Sequence, residues 1–124
     1  MNKLLLWLLH TPLRPLAGRH TIAITYVGPR SGREFTLPVW AIDAPDGRGW
    51  LVGVGQHEQK RWWRSFRTPQ PARLLVKGRE YAATGHLLTG ADRDAAAAAY
   101  VKAIPMAARA IRPDTPALRF DRVD

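Results

Sequence analysis

Short segments of alternating hydrophobicity, each followed by a tight turn, are the feature that most limits how this chain can fold. Apolar side chains occupy every second position of residues 21–27, which is the two-residue period of a half-buried strand. Residues 28–32 contain two glycines and a proline, a composition typical of a turn. Residues 34–42 are then the returning strand of a predicted hairpin, in which Pro38 favours an edge position or a bulge.

The rest of the chain continues this pattern of strands and turns. Turn residues at 44–49 and 77–79 separate the apolar segments. No alternation of strands with helices is present, which argues against a doubly wound nucleotide-binding fold. Short strands joined by turns favour a barrel or a sandwich, and a single late helix favours a partly open barrel. We predict one domain over residues 1–124, with further strands at 50–54, 72–76, 80–88 and 117–123.

One long helix and two short ones are predicted. The alanine-rich run that ends at Ile104 has high helix propensity. Thr89 and Asp92 stand before it at the spacing of a capping box, in which the N-cap side chain accepts a backbone N–H. The short helices are predicted at residues 3–9 and 60–67.

The composition favours an anionic partner. The chain has 19 Lys and Arg residues against 10 Asp and Glu, a formal net charge of +9. Such an excess suits phosphates, polyglutamate, nucleic acid or an acidic membrane face. The absence of cysteine excludes disulfides, thiolate catalysis and cysteine-ligated metals. The four histidines are scattered and no carboxylates are paired, so we predict no metal site and expect a cofactor to supply any reactive centre.

An apolar run, Leu4–Leu9, follows Lys3 near the start of the sequence. It is too short to span a bilayer. We predict a helix within residues 1–12, ahead of a barrel core at residues 20–124. This helix either packs on the barrel, or rests on a membrane or lines a substrate entry. We expect a cytoplasmic protein, with peripheral contact at the inner face of the cell membrane as the alternative.

A basic turn flanked by glycines, Gly28–Arg33, is the first candidate binding feature. Its backbone N–H groups can form an anion-binding nest. Arg30 and Arg33 add bidentate donors suited to phosphate. Ser31 and Thr36 add hydroxyls, so the turn has the groups that a phosphate cradle needs. The alternative is a plain hairpin turn that carries Arg and Gly for solubility.

Residues 60–67 combine cationic and aromatic side chains. On an α-helix, Lys60 and Arg64 stand four residues apart and share one face. Trp62 and Trp63 point about 100° apart, so one indole is expected to pack inward while the other faces a pocket or a ligand. The alternative is an amphipathic turn that only caps the barrel.

Four segments together resemble one known family. They are His10–Leu16, Thr25–Arg33, Leu37–Val39 and Lys60–Phe66, in that order and at those spacings. The family is the deazaflavin-dependent nitroreductases and quinone reductases, a branch of the FMN-binding split-barrel superfamily. The similarity covers residues 4–104, and the pairing of the basic turn with the Trp-Trp segment carries most of its specificity.

The resemblance implies a mainly β (α+β) fold, a split β-barrel of about six antiparallel strands with short flanking helices. It implies that Arg30, Ser31, Gly32 and Arg33 hold the phosphate and anionic tail of a coenzyme. The ring pocket would be formed by Thr36, Pro38, Gly53, Gly55, Lys60, Trp63 and Arg64. The two glycines there would leave room for the backbone to approach a flat group. The implied coenzyme is the deazaflavin coenzyme F-420, with FMN as the alternative.

Three positions depart from the pattern of the family. Pro29 stands where the family usually has a basic residue, Phe35 where some members carry Arg, and Ser65 where Asn is common. These departures remove donors from the anion clamp and leave the choice of coenzyme open.

The first functional hypothesis is an oxidoreductase that transfers a hydride from reduced coenzyme to a quinone-like or nitroaromatic acceptor. Tyr26 is its candidate proton donor, and a homodimer is the expected assembly. The second is a basic β-barrel that binds nucleic acid or anionic lipid, although nucleic-acid binders usually spread their aromatic residues over a sheet face. The third is a split barrel that carries FMN or heme without turnover.

Overall fold

The computed structural model describes residues 20–123, and in that range the chain forms one curled sheet, one α-helix and three short 3₁₀ helices. The strands are β1 (Thr21–Val27), β2 (Glu34–Trp40), β3 (Ile42–Asp43), β4 (Gly49–Gly53), β5 (Gln70–Val76), β6 (Arg79–Leu87) and β7 (Ala117–Arg122). The helix α1 spans Gly90–Ala103, and the 3₁₀ helices span His57–Gln59, Trp62–Phe66 and Pro105–Arg109.

The sheet is a half-barrel with a gap along one side. Its strand order is β2-β1-β5-β6-β7-β4-β3, and every neighbouring pair is antiparallel. The sheet curls so strongly that β2, at one edge, comes near β4, which lies next to the other edge. We call the gap between β2 and β4 the split. The prediction of a mainly β, partly open barrel is confirmed.

The described chain has seven strands where about six were predicted, because the predicted strand at 34–42 divides at Ala41. The backbone N–H of Ala41 donates to the carbonyl of His20 at 2.8 Å, which closes the ladder with β1. Residues 42–43 then leave β1 and pair with β4. One continuous segment therefore supplies both edges of the sheet, and the split opens at the point of division.

Two groups of buried side chains hold the half-barrel together. The concave face of the sheet is filled by Ile24, Leu74, Leu118 and Phe120, with Phe66 from the second 3₁₀ helix, and all five side chains are fully buried. The alternation predicted for β1 is confirmed. The side chains of Ile22, Ile24 and Tyr26 lie in this core, and those of the odd-numbered residues do not. A second group joins α1 to the opposite face of β4 through Leu51, Ala96, Tyr100, Ile104 and Ala117.

Gly85 on β6 fixes the position of the Trp62–Phe66 segment. A Cβ at Gly85 would lie 2.5 Å from the ring of Phe120 and 2.8 Å from the ring of Phe66. These two rings meet edge to face with their centroids 5.1 Å apart, a favourable aromatic geometry. The absence of a side chain at Gly85 therefore lets Phe66 enter the core and anchors its segment against the sheet.

Two details of the predicted helices are corrected by the structure. Residues 60–67 form a 3₁₀ helix at Trp62–Phe66 instead of an α-helix, so side chains three apart align and the expected pairing of residues 60 and 64 is lost. Thr89 does occupy the N-cap of α1, but its side chain makes no capping hydrogen bond. The predicted capping box is therefore absent, and the chain enters α1 through Gly90 with a φ of +59°.

The predicted N-terminal helix at residues 1–12 lies outside the described residues, so membrane contact through it stays a prediction. Within residues 20–123, no helix has the length and apolar character needed to cross a bilayer.

Candidate functional site

A cavity of about 600 Å³ lies at the split, a volume within the range of small-molecule sites in proteins. Its walls come from β2, from the end of β4 and from the segments around Trp62–Phe66 and Pro105–Arg109. The described lining is mostly apolar and includes Leu37, Pro38, Val39, Trp40, Val52, Gly53, Val54, Gly55, Lys60, Trp62, Tyr100 and Ile111. The cavity therefore suits a flat, largely apolar group.

Two backbone hydrogen bonds, one at each end of β2, show which residues of this strand bond to β1. At one end the N–H of Gly28 donates to the carbonyl of Arg33, and at the other the N–H of Ala41 donates to the carbonyl of His20, both at 2.8 Å. The register between these ends is continuous. Bonding to the partner strand alternates along an antiparallel ladder, so odd-numbered residues of β2 pair with β1 and even-numbered residues turn their N–H and C=O groups away.

The free edge of β2 thus presents the backbone groups of three residues on the side of the split. Thr36 offers an N–H and a C=O, Pro38 offers only a C=O, and Trp40 offers an N–H. The carbonyl of Trp40 is already taken by the hydroxyl of Tyr100. The edge position predicted for Pro38 is confirmed, and its missing N–H leaves an acceptor between two donors.

Tyr100 on α1 is a cavity residue that the sequence did not single out. Its hydroxyl donates to the carbonyl of Trp40 at 3.1 Å. Burial raises the pKa of this hydroxyl to about 12, and a backbone hydrogen bond from Gly53 opposes part of the rise. The spacing of Ala96, Tyr100 and Ile104 indicates a buried helix face, but no sequence signal shows that this face meets the split.

The two adjacent indoles have different environments. Trp63 is buried, and its indole N–H donates to the carbonyl of Lys60 at 3.0 Å and, more weakly, to that of His57 at 3.4 Å. Trp62 is half-buried and lines the cavity. One indole packs inward and the other faces a pocket, as the sequence suggested, but the residue at the cavity is Trp62, whereas the resemblance points to Trp63.

The basic turn 28–33 is exposed at the far end of the hairpin. Gly32 has a φ of +70°, and its N–H donates to the carbonyl of Gly28 at 3.0 Å. The N–H of Arg33 donates to Ser31 Oγ at 3.2 Å. Two N–H groups of the expected nest are therefore used within the turn. An anion would meet mainly the side chains of Arg30 and Arg33, which have no carboxylate partner within residues 20–123.

The turn and the cavity are separated along one strand. Arg33 precedes Leu37, the first cavity residue of β2, by four residues, which at about 3.3 Å per residue is roughly 13 Å. The structure brings Pro38, Gly53, Gly55 and Lys60 to the cavity lining. The predicted residues outside this lining are Tyr26, Arg30, Ser31, Gly32, Arg33, Thr36, Trp63 and Arg64.

Tyr26 points into the core and not into the cavity. Its ring lies 5.6 Å from that of Phe35 and 5.3 Å from that of Phe66, measured between centroids. Burial raises the pKa of its hydroxyl, and a hydrogen bond with Ser65 opposes the rise. Thr36 lies on the other face of the hairpin, where its hydroxyl meets that of Thr25 at 2.8 Å.

The two candidate glycines serve the packing of the protein itself. A Cβ at Gly53 would lie 2.9 Å from Ile111 Cδ1 and 3.1 Å from ring carbons of Tyr100. A Cβ at Gly55 would lie 2.9 Å from Ala110 Cβ. Their small size lets α1 and the segment that follows it close over the end of β4, which forms one wall of the cavity.

A band of unpaired cations borders the cavity. Lys60, Arg61, Arg64 and Arg67 are exposed, and no carboxylate within residues 20–123 pairs with them. The guanidinium groups of Arg64 and Arg67 each lie 5.6 Å from the centroid of Trp63, within the range of a cation–π contact. Only Lys60 of this band lines the cavity itself.

One cluster in the described range has the residue types of a metal site. His57, Glu58 and Asp114 have ligand atoms within 4.8 Å of one another. Arg112 pairs with both carboxylates, and its contact with Glu58 helps to lower the pKa of that carboxyl below its usual value, after the larger effect of a backbone hydrogen bond. This guanidinium already supplies the positive charge that a cation would bring.

Comparison with known proteins shows the fold at low sequence identity. No protein-family model and no curated protein sequence matches the chain. An F420-H2 dependent reductase, FDR-A, is 15% identical with a TM-score of 0.67, covering 83% of this chain and 95% of its own. The heme storage protein HutZ from Vibrio cholerae is 10% identical with a TM-score of 0.65, covering 94% and 91%.

A third solved structure, described as a domain-swapped dimer, is 15% identical with a TM-score of 0.68, covering 83% of this chain and 81% of its own. The chain therefore has the fold of the split-barrel proteins, a group in which F420-dependent reductases and heme storage proteins share one architecture.

Proposed function

We propose that the chain binds the deazaflavin coenzyme F-420 at the split and transfers a hydride from its reduced form to a quinone-like or nitroaromatic acceptor. The observation that carries this proposal is the cavity of about 600 Å³ at the free edge of β2, together with the basic turn at the end of the same strand. The resemblance to deazaflavin-dependent reductases and the shared fold with FDR-A support it.

The residues present fit a flavin-type ring. The cavity walls are largely apolar, with the indole of Trp62 and the ring of Tyr100 available for contact with a flat group. The pyrimidine edge of such a ring carries a carbonyl, an N–H and a carbonyl in a row. The Pro38 C=O and the Trp40 N–H on the free edge of β2 offer an acceptor and a donor to two of these groups, whereas the Thr36 N–H lies about 13 Å along the strand from that of Trp40 and does not meet the same edge.

The charge of the described surface fits the rest of the coenzyme. A phosphate and an anionic tail leaving the cavity along β2 would reach Arg33 and Arg30 after about 13 Å of strand. Lys60 lines the cavity itself, so its cation would face the ring end of the coenzyme and the acceptor. Charge-assisted bonds of this kind are the strong ones in anion binding.

When bound, the reduced coenzyme supplies the hydride. The chain itself orients the ring through the edge of β2, keeps water out with Trp62 and Ile111, and places the cation of Lys60 where negative charge develops on the acceptor. No side chain has to act as a nucleophile. Tyr26 packs in the core outside the lining of this cavity, so we assign it no proton transfer.

FMN is the alternative ligand, because its ring presents the same edge and its phosphate the same charge. Carriage of FMN or heme without turnover is the alternative role, and FDR-A and HutZ show that the fold alone does not decide between them. The exposed cations leave binding of nucleic acid or anionic lipid as the remaining alternative. For the assembly we propose a homodimer, which light scattering on the purified protein would test against a monomer.

A fluorescence titration with oxidised F-420 and, in parallel, FMN tests the proposal. We expect F-420 to bind with micromolar affinity or better, and Lys60→Ala and Arg30→Ala each to weaken binding by about tenfold or more, since each removes a charge-assisted contact. Arg48→Ala is the matched control, because Arg48 is an exposed turn residue at the opposite end of β4.

The outcomes separate the alternatives. Saturable binding of FMN but not F-420 would refute the deazaflavin assignment and retain the flavin site. Binding of neither, with oligonucleotide binding that falls steeply with salt, would favour the anionic polymer. Equal losses in all three variants would mean that only net charge matters and that the assigned residues do not form the site.

A further inference from the structure

The ladder between β3 and β4 would cross the split if its register continued. Ile42 pairs with Leu51, and the N–H of Ala44 donates to the carbonyl of Gly49 at 2.8 Å. Extending this register backwards by two residues from Ile42 places Trp40 opposite Gly53. In an unbroken sheet these two residues would exchange backbone hydrogen bonds. Here Trp40 belongs to the ladder with β1 instead, and the two strands part.

The hydroxyl of Tyr100 lies where the backbone hydrogen bonds between Trp40 and Gly53 are missing. It donates to the carbonyl of Trp40 at 3.1 Å. The ring of Tyr100 rests on Gly53, since a Cβ there would come within 3.1 Å of two ring carbons. One tyrosine side chain therefore bridges the two backbones that the ladder leaves apart, since its hydroxyl bonds β2 and its ring packs on β4.

We propose that Tyr100 is a positioning residue that clasps β2 and β4 across the split, and thereby sets the width of the cavity and the direction of the free backbone groups at Trp40 and Pro38. The clasp itself rests on the observed contacts. The statement that it positions a ligand rests on the proposed function, since the ligand would be the flavin-type ring held by the same edge.

Three features favour a positioning role over simple packing. The hydroxyl makes a side-chain hydrogen bond between β2 and α1, so it ties these two elements together. Its partner is Trp40, whose N–H is one of the two donors on the free edge. The ring itself lines the cavity. Loss of this hydroxyl would therefore act directly on the backbone of Trp40, which is part of the proposed ligand-binding edge.

Amide hydrogen exchange of the full chain, measured by NMR in wild type, Tyr100→Phe and Tyr81→Phe, tests the clasp. Tyr81→Phe is the matched control, since it removes the same atom from a half-buried tyrosine on β6 outside the cavity. We expect the amides of Ala41 and Val54, which share peptide groups with the carbonyls of Trp40 and Gly53 and are hydrogen-bonded, to exchange about tenfold faster in Tyr100→Phe, as for loss of one hydrogen bond. The core amides of Ile24 and Leu74 should change by less than about twofold.

Titration of the three proteins with F-420 and FMN tests the consequence for the ligand. We expect Tyr100→Phe to weaken binding by about tenfold while Tyr81→Phe binds as wild type does. Faster exchange at all four amides alike would overturn the clasp, since it would show only a loss of global stability. Faster exchange at the split with unchanged affinity would overturn the positioning role.

If the wild type binds neither ligand, the proposed function fails, and the exchange pattern alone then decides for or against the clasp. If Tyr100→Phe does not fold, Gly53→Ala is the second variant, because its new Cβ pushes against the ring of Tyr100 and against Ile111. The same localised exchange at Ala41 is expected for it, and unchanged exchange there would contradict the proposal.

Discussion

Single residues at the split gain their roles from neighbours that are distant in sequence. Tyr100 and Trp40 are separated by 60 residues, and Trp62, not the Trp63 to which the resemblance points, lines the cavity. Local patterns predict which residues are buried and which turns are tight. They do not predict which buried residue meets a gap in the sheet, because that depends on how strands far apart in the chain come together.

The burial of Tyr100 predicts a specific loss of stability in alkaline solution. Its hydroxyl has a pKa of about 12 in the folded protein, against 10.0 for the ordinary group. The folded state thus holds this proton more tightly, so the stabilisation is complete below pH 10 and is lost as the pH rises towards 12. The free energy of unfolding should fall by up to roughly 1.4 kcal/mol per pH unit in this window.

Urea unfolding between pH 9 and pH 11 in wild type and Tyr100→Phe measures this effect. The difference between the two proteins should shrink as the pH rises above 10. An identical pH dependence in wild type and Tyr100→Phe would show that the hydroxyl of Tyr100 is not buried as described.

At the level of elements, the strands and turns follow closely from the sequence. The hairpin of β1 and β2 matches its prediction because a two-residue period and a turn rich in glycine and proline agree over that stretch. The turn between β5 and β6 matches because Lys77 and Gly78 both adopt positive φ, as a two-residue hairpin requires. No such local signal marks the break at Ala41. It arises because the chain leaves the ladder with β1 there and residues 42–43 pair with β4.

Substitution of the two tryptophans in the Trp62–Phe66 helix is expected to affect stability and coenzyme binding differently. Trp63→Ala should lower the free energy of unfolding by about 3–5 kcal/mol, because a buried indole and its hydrogen bonds are lost. Trp62→Ala should cost much less stability and should weaken coenzyme binding, because Trp62 lines the cavity. Chemical denaturation and a flavin titration of both variants measure the two effects, and equal losses in stability would contradict the division.

Over the whole described chain, the charges are distributed unevenly. The carboxylates of Asp46 and Asp121 are paired with Arg119, and those of Glu58 and Asp114 with Arg112. The cations along residues 60–67 and in the turn 28–33 have no such partners in the described part of the molecule. The net charge of +9 predicted an anionic partner, but only the fold shows that Lys60 of one group lines the cavity while the other group stands in the turn before β2.

The central claim is that a flavin-type ring lies in the split, against the free edge of β2. NMR titration of the isotope-labelled protein with F-420 and with FMN tests it most directly, by following each backbone amide and each tryptophan indole N–H. We predict the largest shifts at the amides of Trp40 and Gly53 and at the indole of Trp62, with little change at the indole of Trp63. Shifts absent from the split, or centred on another surface, would contradict the account.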